Sequence, residues 1–240
     1  MATVVVVLAA GAGTRMRSSL AKVLHPIAGQ PILSHVLSAA AALNADHTVV
    51  VVGHQRAAVM EYLANDHPGV ITAVQETQNG TGDATAVGLA ALSASGVKLD
   101  SNDTIVVLAG DIPLIRAETL QPLGQLSHDA VVVTSIFADP TGYGRIIRSD
   151  KLVTAIVEEK DATDEQREIL EINSGIYAIK HEQLVNHLAN LSTDNAAAEK
   201  YLTDVIKAIA DGGGEVLAVL ADADDVLGVN DKEQLAQANG

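Results

Sequence analysis

The chain has 240 residues, 48% of them hydrophobic, with no cysteine and with 30 acids against 15 lysines and arginines. That length buries a sizeable core, as one large α/β domain or as two smaller ones. The composition excludes a disulfide scaffold and a thiolate centre, and a net charge of −15 with few aromatics argues against a nucleic-acid surface.

In chain order, the β-branched run Val4 to Val7, closed by Leu8, predicts a strand buried on both faces. It breaks into Ala9, Ala10, Gly11, Ala12 and Gly13, small residues that let a ligand approach the backbone. Arg15, Arg17 and Lys22 follow. No Asp or Glu precedes Asp46, so residues 1–45 carry +3 and the remainder −18. An acidic chain with one positive segment at a glycine-rich strand end points to a polyphosphate. Loop N–H groups would bind its oxygens and the cations would offset its charge. The spacing is not that of Walker A, which no segment supplies. Nor is it the dinucleotide fingerprint, whose third glycine is replaced by Met16.

Helical composition covers 31–43, with Pro31 suited to a first turn. A second valine-rich strand is predicted at 48–52, a helix at 56–63 and a third strand at 70–74. The polar turn 75–82 leads into an alanine-rich helix at 84–92, and a fourth strand at 104–108 ends in Ala109-Gly110-Asp111. Strand and helix alternating at this spacing predict right-handed crossovers and a mostly parallel sheet. Ligands of such sheets sit beyond the carboxyl ends of the strands, so loops 11–22, 75–82 and 110–111 should gather on one edge.

The second half changes character. Strands are predicted at 130–137, 153–158, 172–179 and 216–220, and helices at 182–191, 197–210 and 232–238. Between them lie a turn-rich segment at 139–145 and a charged stretch at 160–167. No linker or internal repeat interrupts the chain, so a mixed sheet in one domain over 1–240 is expected, with the latter half a smaller subregion. No stretch approaches a membrane span and no signal peptide is evident, so a cytoplasmic protein without membrane or nucleic-acid partners is expected.

The segment 8–16, LAAGAGTRM, followed by Lys22, resembles the signature of the sugar-nucleotide pyrophosphorylase family. Further motifs at 139–145, 156–163, 171–177, 201–204 and 228–230 narrow the likeness to its bacterial N-acetylglucosamine-1-phosphate uridyltransferase branch. The resemblance spans essentially the whole chain. It implies a Rossmann-like, GT-A-like α/β fold and Mg²⁺-dependent transfer of uridylyl from UTP to N-acetylglucosamine 1-phosphate. It also implies that the acetyltransferase β-helix of such bifunctional proteins is absent, leaving a monomer or weak dimer.

Site residues follow from the resemblance position by position. Arg15 resembles the arginine on the β- and γ-phosphates, and Lys22 the lysine near the α-phosphate. Ala10, Gly11, Gln75, Gly80 and Thr81 resemble the nucleoside pocket, whose amide and backbone groups suit uracil. Asp111 resembles the Mg²⁺ ligand, with Asn230 completing the protein's share. Gly144, Glu158 and Asn173 resemble the contacts of the acetylated sugar. Taken alone, Asp111 reads as a helix N-cap, Gln75 and Glu158 as solvated strand ends, and Gly144 and Asn173 as turn residues. Three departures stand out. Ala21 replaces a usual proline, which should loosen the loop. Asp83 brings a carboxylate to the nucleotide loop, and Asp231 is expected to add another near the metal. The alternatives are a pyrophosphorylase for another sugar or base and a sugar-nucleotide-binding protein without turnover.

Overall fold

The computed structural model describes residues 1–239. Strand β1 (Thr3–Ala9) leads through a loop with two one-turn 3-10 helices, Thr14–Met16 and Lys22–Leu24, to a small hairpin of β2 (Pro26–Ile27) and β3 (Gln30–Pro31). Next come α1 (Ile32–Ala40), β4 (His47–Val52), α2 (Arg56–Asp66), β5 (Ile71–Val74), α3 (Thr81–Ala94) and β6 (Thr104–Ala109). The second half runs α4 (Ala117–Leu120), β7 (Ala130–Ile136), β8 (Arg145–Ser149), β9 (Leu152–Val157), α5 (Asp164–Arg167) and β10 (Glu171–Lys180). It closes with α6 (His181–Leu188), α7 (Thr203–Asp211), β11 (Val216–Leu220) and α8 (Lys232–Asn239).

The main sheet has the order β11-β7-β10-β6-β1-β4-β5, with β8 and β9 joined beside β10. β6, β1, β4 and β5 pair in parallel, whereas β10 runs antiparallel between β6 and β7. This is the mixed, mostly parallel α/β sheet expected. Alternate valines of β1 and β4 face opposite layers. Val5, Val7, Val50 and Val52 pack with α1 and α2, while Val4, Val6, Val49 and Val51 pack with α3, α6 and α7. Both faces of the central strands are therefore dry, which is why those strands are continuous in Val rather than alternating.

Helix α3 comes unusually close to the sheet. A Cβ at Gly88 would lie 2.9 Å from Val6 Cγ1 and 3.1 Å from Val51 Cγ2, both on buried strands. Gly88→Val is accordingly expected to destabilise the protein by about 1–3 kcal/mol through overpacking. Urea unfolding with an unchanged m-value and a lower midpoint checks this; an unchanged midpoint refutes it.

Two sequence expectations are corrected. Helix is absent from 197–202, and α7 begins only at Thr203. The preceding segment instead bonds to the nucleotide loop, Lys200 N–H to Asn79 O at 2.7 Å and Gly82 N–H to Lys200 O at 2.8 Å, with Ala198 left-handed at φ 54°. Strand β8 occupies Arg145–Ser149, directly after the turn-rich segment 139–145. The second correction is that α3 starts at Thr81 rather than 84, directly after Gly80 at φ 103°. Among the described residues, no helix is long and apolar enough to cross a membrane.

Candidate active site

The carboxyl ends of β1, β5 and β6 place their loops side by side, and β10 enters from the opposite direction. Together they wall a cavity of about 350 Å³. Ala10, Gly11, Lys22, Gln75, Gly80, Thr81, Asp111, Glu158 and Asn173 all line it. Nine of the residues singled out from sequence thus converge on one space. Gly144, Asn230 and Arg15 lie outside that lining. Gly144 backs Glu158 and Asn173, and Asn230 reaches the cavity edge through Lys22. Arg15 stands exposed on the loop, without an ion pair among the described residues.

The glycine loop is built around the lysine. At Gly13, φ is 58° and a Cβ would fall 2.7 Å from Lys22 Cβ, so only glycine lets the loop fold against that stem. Gly11 has open space where a Cβ would stand, which leaves its backbone approachable. Ala21 has φ −56° and ψ 136°, a backbone conformation that a proline also adopts.

Lys22 carries the centre of the site. Its Nζ donates to Asp111 Oδ2 at 2.5 Å and to Asn230 Oδ1 at 3.1 Å. Asp111 follows β6, and its carbonyl accepts the Val229 N–H at 2.8 Å, tying the two oxygen donors together through the backbone. Asp111 is thus no helix N-cap. Asp231 is one: its Oδ1 accepts Gln234 N–H at 2.9 Å at the start of α8. That capping bond directs one oxygen of the Asp231 carboxylate to the helix.

At one end of the cavity Gln75 is buried, with its backbone N–H held by Val52 O at 2.8 Å. Its Nε2 donates to Asp83 Oδ2 at 2.8 Å and to Gly80 O at 3.2 Å. Gln78, unnoticed in the sequence, donates to Ala10 O at 2.5 Å and clasps the glycine loop. Its place three residues after Gln75 in one polar turn was the available signal.

The other end depends on a bulge. The β10–β7 register shifts between Asn173 and Ile176, where Gly175 has φ 79° and Ser174 Oγ bonds Val133 O at 2.7 Å. Bulges re-aim side chains. Asn173 here takes Gly175 N–H on Oδ1 at 3.1 Å and donates from Nδ2 to the Tyr177 hydroxyl at 2.6 Å. Tyr177 is thereby left with its own proton to donate. Glu158 Oε1 accepts from Thr203 Oγ1 at 3.1 Å, and a Cβ at Gly144 would crowd Ile156 at 3.1 Å and Glu158 Oε2 at 3.4 Å. Tyr143, from the same motif as Gly144, has a buried hydroxyl without a hydrogen-bond partner among the described residues.

Burial pushes the Glu158 carboxyl above the ordinary glutamate range, against the Thr203 bond, and Asp161, Asp204 and Glu199 push the same way. A carboxyl raised on folding stabilises the protein while protonated, and that contribution is lost as pH rises through its folded value. Glu158→Gln is therefore expected to melt higher than wild type at neutral pH. The difference should vanish as pH falls below the usual glutamate range; a pH-independent difference in Tm contradicts it.

Two hard oxygen donors, Asp111 and Asn230, already share one cation, the Lys22 ammonium. That donor set fits a hard divalent ion completing its shell with phosphate and water. No cluster of three His, Cys, Asp or Glu exists among the described residues to hold an ion without such help. One cavity thus brings together the Gln75 amide, the Lys22 ammonium with its two oxygen donors, and the Glu158 and Asn173 side chains.

Comparison with known proteins agrees. The profile of the MobA-like NTP transferase domain matches residues 5–197. The chain is 47% identical over 238 residues to the bifunctional protein GlmU of Kineococcus radiotolerans, covering 97% of this chain and 47% of that protein. Against its counterpart from Cutibacterium acnes the identity is 46%, covering 98% and 57%. Against that of Pseudomonas aeruginosa strain LESB58 it is 48%, covering 99% and 51%. The chain thus spans about half the length of the curated relatives it matches.

Proposed function

Since the chain belongs to the MobA-like NTP transferase family and is a nucleotidyltransferase, we propose that it transfers uridylyl from UTP to N-acetylglucosamine 1-phosphate. Products would be UDP-N-acetylglucosamine and pyrophosphate. The observation that carries this reading is one cavity lined jointly by Gln75, Gly80, Lys22, Asp111, Glu158 and Asn173. The likeness to GlmU proteins supports the same pair of substrates.

A sugar phosphate oxygen attacks the α-phosphorus of UTP as the bond to the β-phosphate oxygen breaks, and pyrophosphate leaves with that electron pair. Such transfers need positioning and charge neutralisation more than covalent help. Lys22 sits where negative charge would concentrate on the α-phosphate and the attacking phosphate. Arg15, unpaired on its loop, is free to meet the β- and γ-phosphates. Gln75 with the Gly80 and Thr81 backbone orients the base, while Ala10 and Gly11 let the nucleotide lie against the strand end. Glu158 accepts from sugar hydroxyls, and Asn173 and Tyr177 offer hydrogen-bonding groups to the acetamide. Mg²⁺, held by Asp111 and Asn230, would supply electrostatic stabilisation of the phosphate oxygens when bound.

The direct test is pyrophosphate release from UTP and N-acetylglucosamine 1-phosphate, with and without Mg²⁺. Turnover with a different nucleotide or sugar phosphate only would overturn the reading. Glucosamine 1-phosphate in place of the acetylated sugar leaves acetamide partners unpaired. Its kcat/KM is expected to be about ten- to a hundredfold lower. Equal values for the two sugars would remove Glu158 and Asn173 from their proposed role.

A further inference from the structure

We propose that Asp83 is a positioning residue that sets the base specificity of the nucleotide end by locking the Gln75 amide with its oxygen toward the ligand. The inference rests on the reading that this end holds a nucleobase. Gln75 Nε2 lies 2.8 Å from Asp83 Oδ2 and 3.2 Å from Gly80 O. A carboxylate and a carbonyl both accept and neither donates, so the two amide hydrogens must occupy that side. Oε1 is then fixed opposite. It accepts nothing from the protein among the described residues and is not among the sealed polar atoms. Gln75 itself is only 5% exposed and lines the cavity, whereas Asp83 stands behind it on the first turn of α3.

A locked acceptor demands a donor from the base. Uracil presents N3–H there and cytosine a lone pair on N3. For cytosine to pair, the amide would have to turn over. Oε1 would then face the Asp83 carboxylate and the Gly80 carbonyl, replacing two hydrogen bonds by two repulsions. An asparagine at 83 removes the constraint, because its amide can either accept from or donate to Gln75. A bland alternative is that Asp83 merely favours the positive end of α3, which would affect every nucleotide alike.

The test is kcat/KM and nucleotide Kd for UTP, CTP, GTP and ATP with wild type, Asp83→Asn and Asp83→Ala, each checked by circular dichroism. Wild type is expected to prefer UTP to CTP by about a hundredfold or more. Both variants should narrow that ratio by about tenfold, chiefly through a gain for CTP. Asp83→Ala keeps the test open if Asp83→Asn does not fold. An unchanged ratio in the folded variants overturns the role of Asp83 and leaves UTP as substrate. A preference for GTP over ATP that the variants narrow retains the locked acceptor and overturns the choice of uridine. A wild-type preference for CTP or ATP overturns both.

Discussion

Asp111→Ala is expected to abolish Mg²⁺-dependent turnover, a fall of about a thousandfold, while circular dichroism and Tm stay close to wild type. Loss of an electrostatic centre at the phosphates costs several kcal/mol in the transition state, and about 1.4 kcal/mol corresponds to tenfold in rate. The fold should survive, because the carboxylate is partly exposed at 21% and the backbone bond from Val229 to its carbonyl remains. What changes is local: Lys22 loses its 2.5 Å partner and keeps only Asn230. Pyrophosphate release across a Mg²⁺ titration reads the effect. Near-normal kcat at limiting Mg²⁺ would remove Asp111 from the metal site.

Lys22→Ala should lower kcat by roughly a hundredfold, with a smaller rise in KM for UTP. A cation beside the α-phosphate matters most as charge redistributes, which is differential binding of the transition state. The stem is fixed against Gly13, and a metal taken up by Asp111 and Asn230 would free the ammonium they now hold to turn to phosphate. The split between constants is the readout. A rise in KM alone would make Lys22 a ground-state anchor.

Much of this was legible in the residues. Runs of four valines leave few alternatives to buried parallel strands, and sheet topology then carries distant loops to one edge without any further information. Lys22, Gln75 and Asp111 could be placed together on that argument alone. Asn173 could not, because its position depends on a bulge whose signal, Ser174-Gly175, resembles an ordinary turn. The alanines at 196–198 favour helix, yet backbone bonds to Asn79 and Gly82 outweigh that weak preference. Strand β8 was hidden because Arg145 and Arg148 flank its two isoleucines. Arg145 is fully buried, its guanidinium paired with Glu159 at 2.8 Å, an exception that composition does not announce.

The segment 195–202 has a consequence beyond its own shape. On one side Lys200 bonds Asn79 and Gly82, and the Thr81 hydroxyl accepts Leu202 N–H at 3.0 Å. On the other, Ala196 N–H reaches Asp161 at 2.8 Å, and Thr203 immediately beyond holds Glu158. One stretch of backbone thus belongs at once to the loop for the nucleotide and to the wall for the sugar. Two ligands that order the same stretch share a single entropic cost, and whichever arrives second finds it already met. Were nucleotide and sugar phosphate both to order it, linkage would require any factor by which one raises affinity for the other to be returned in equal measure.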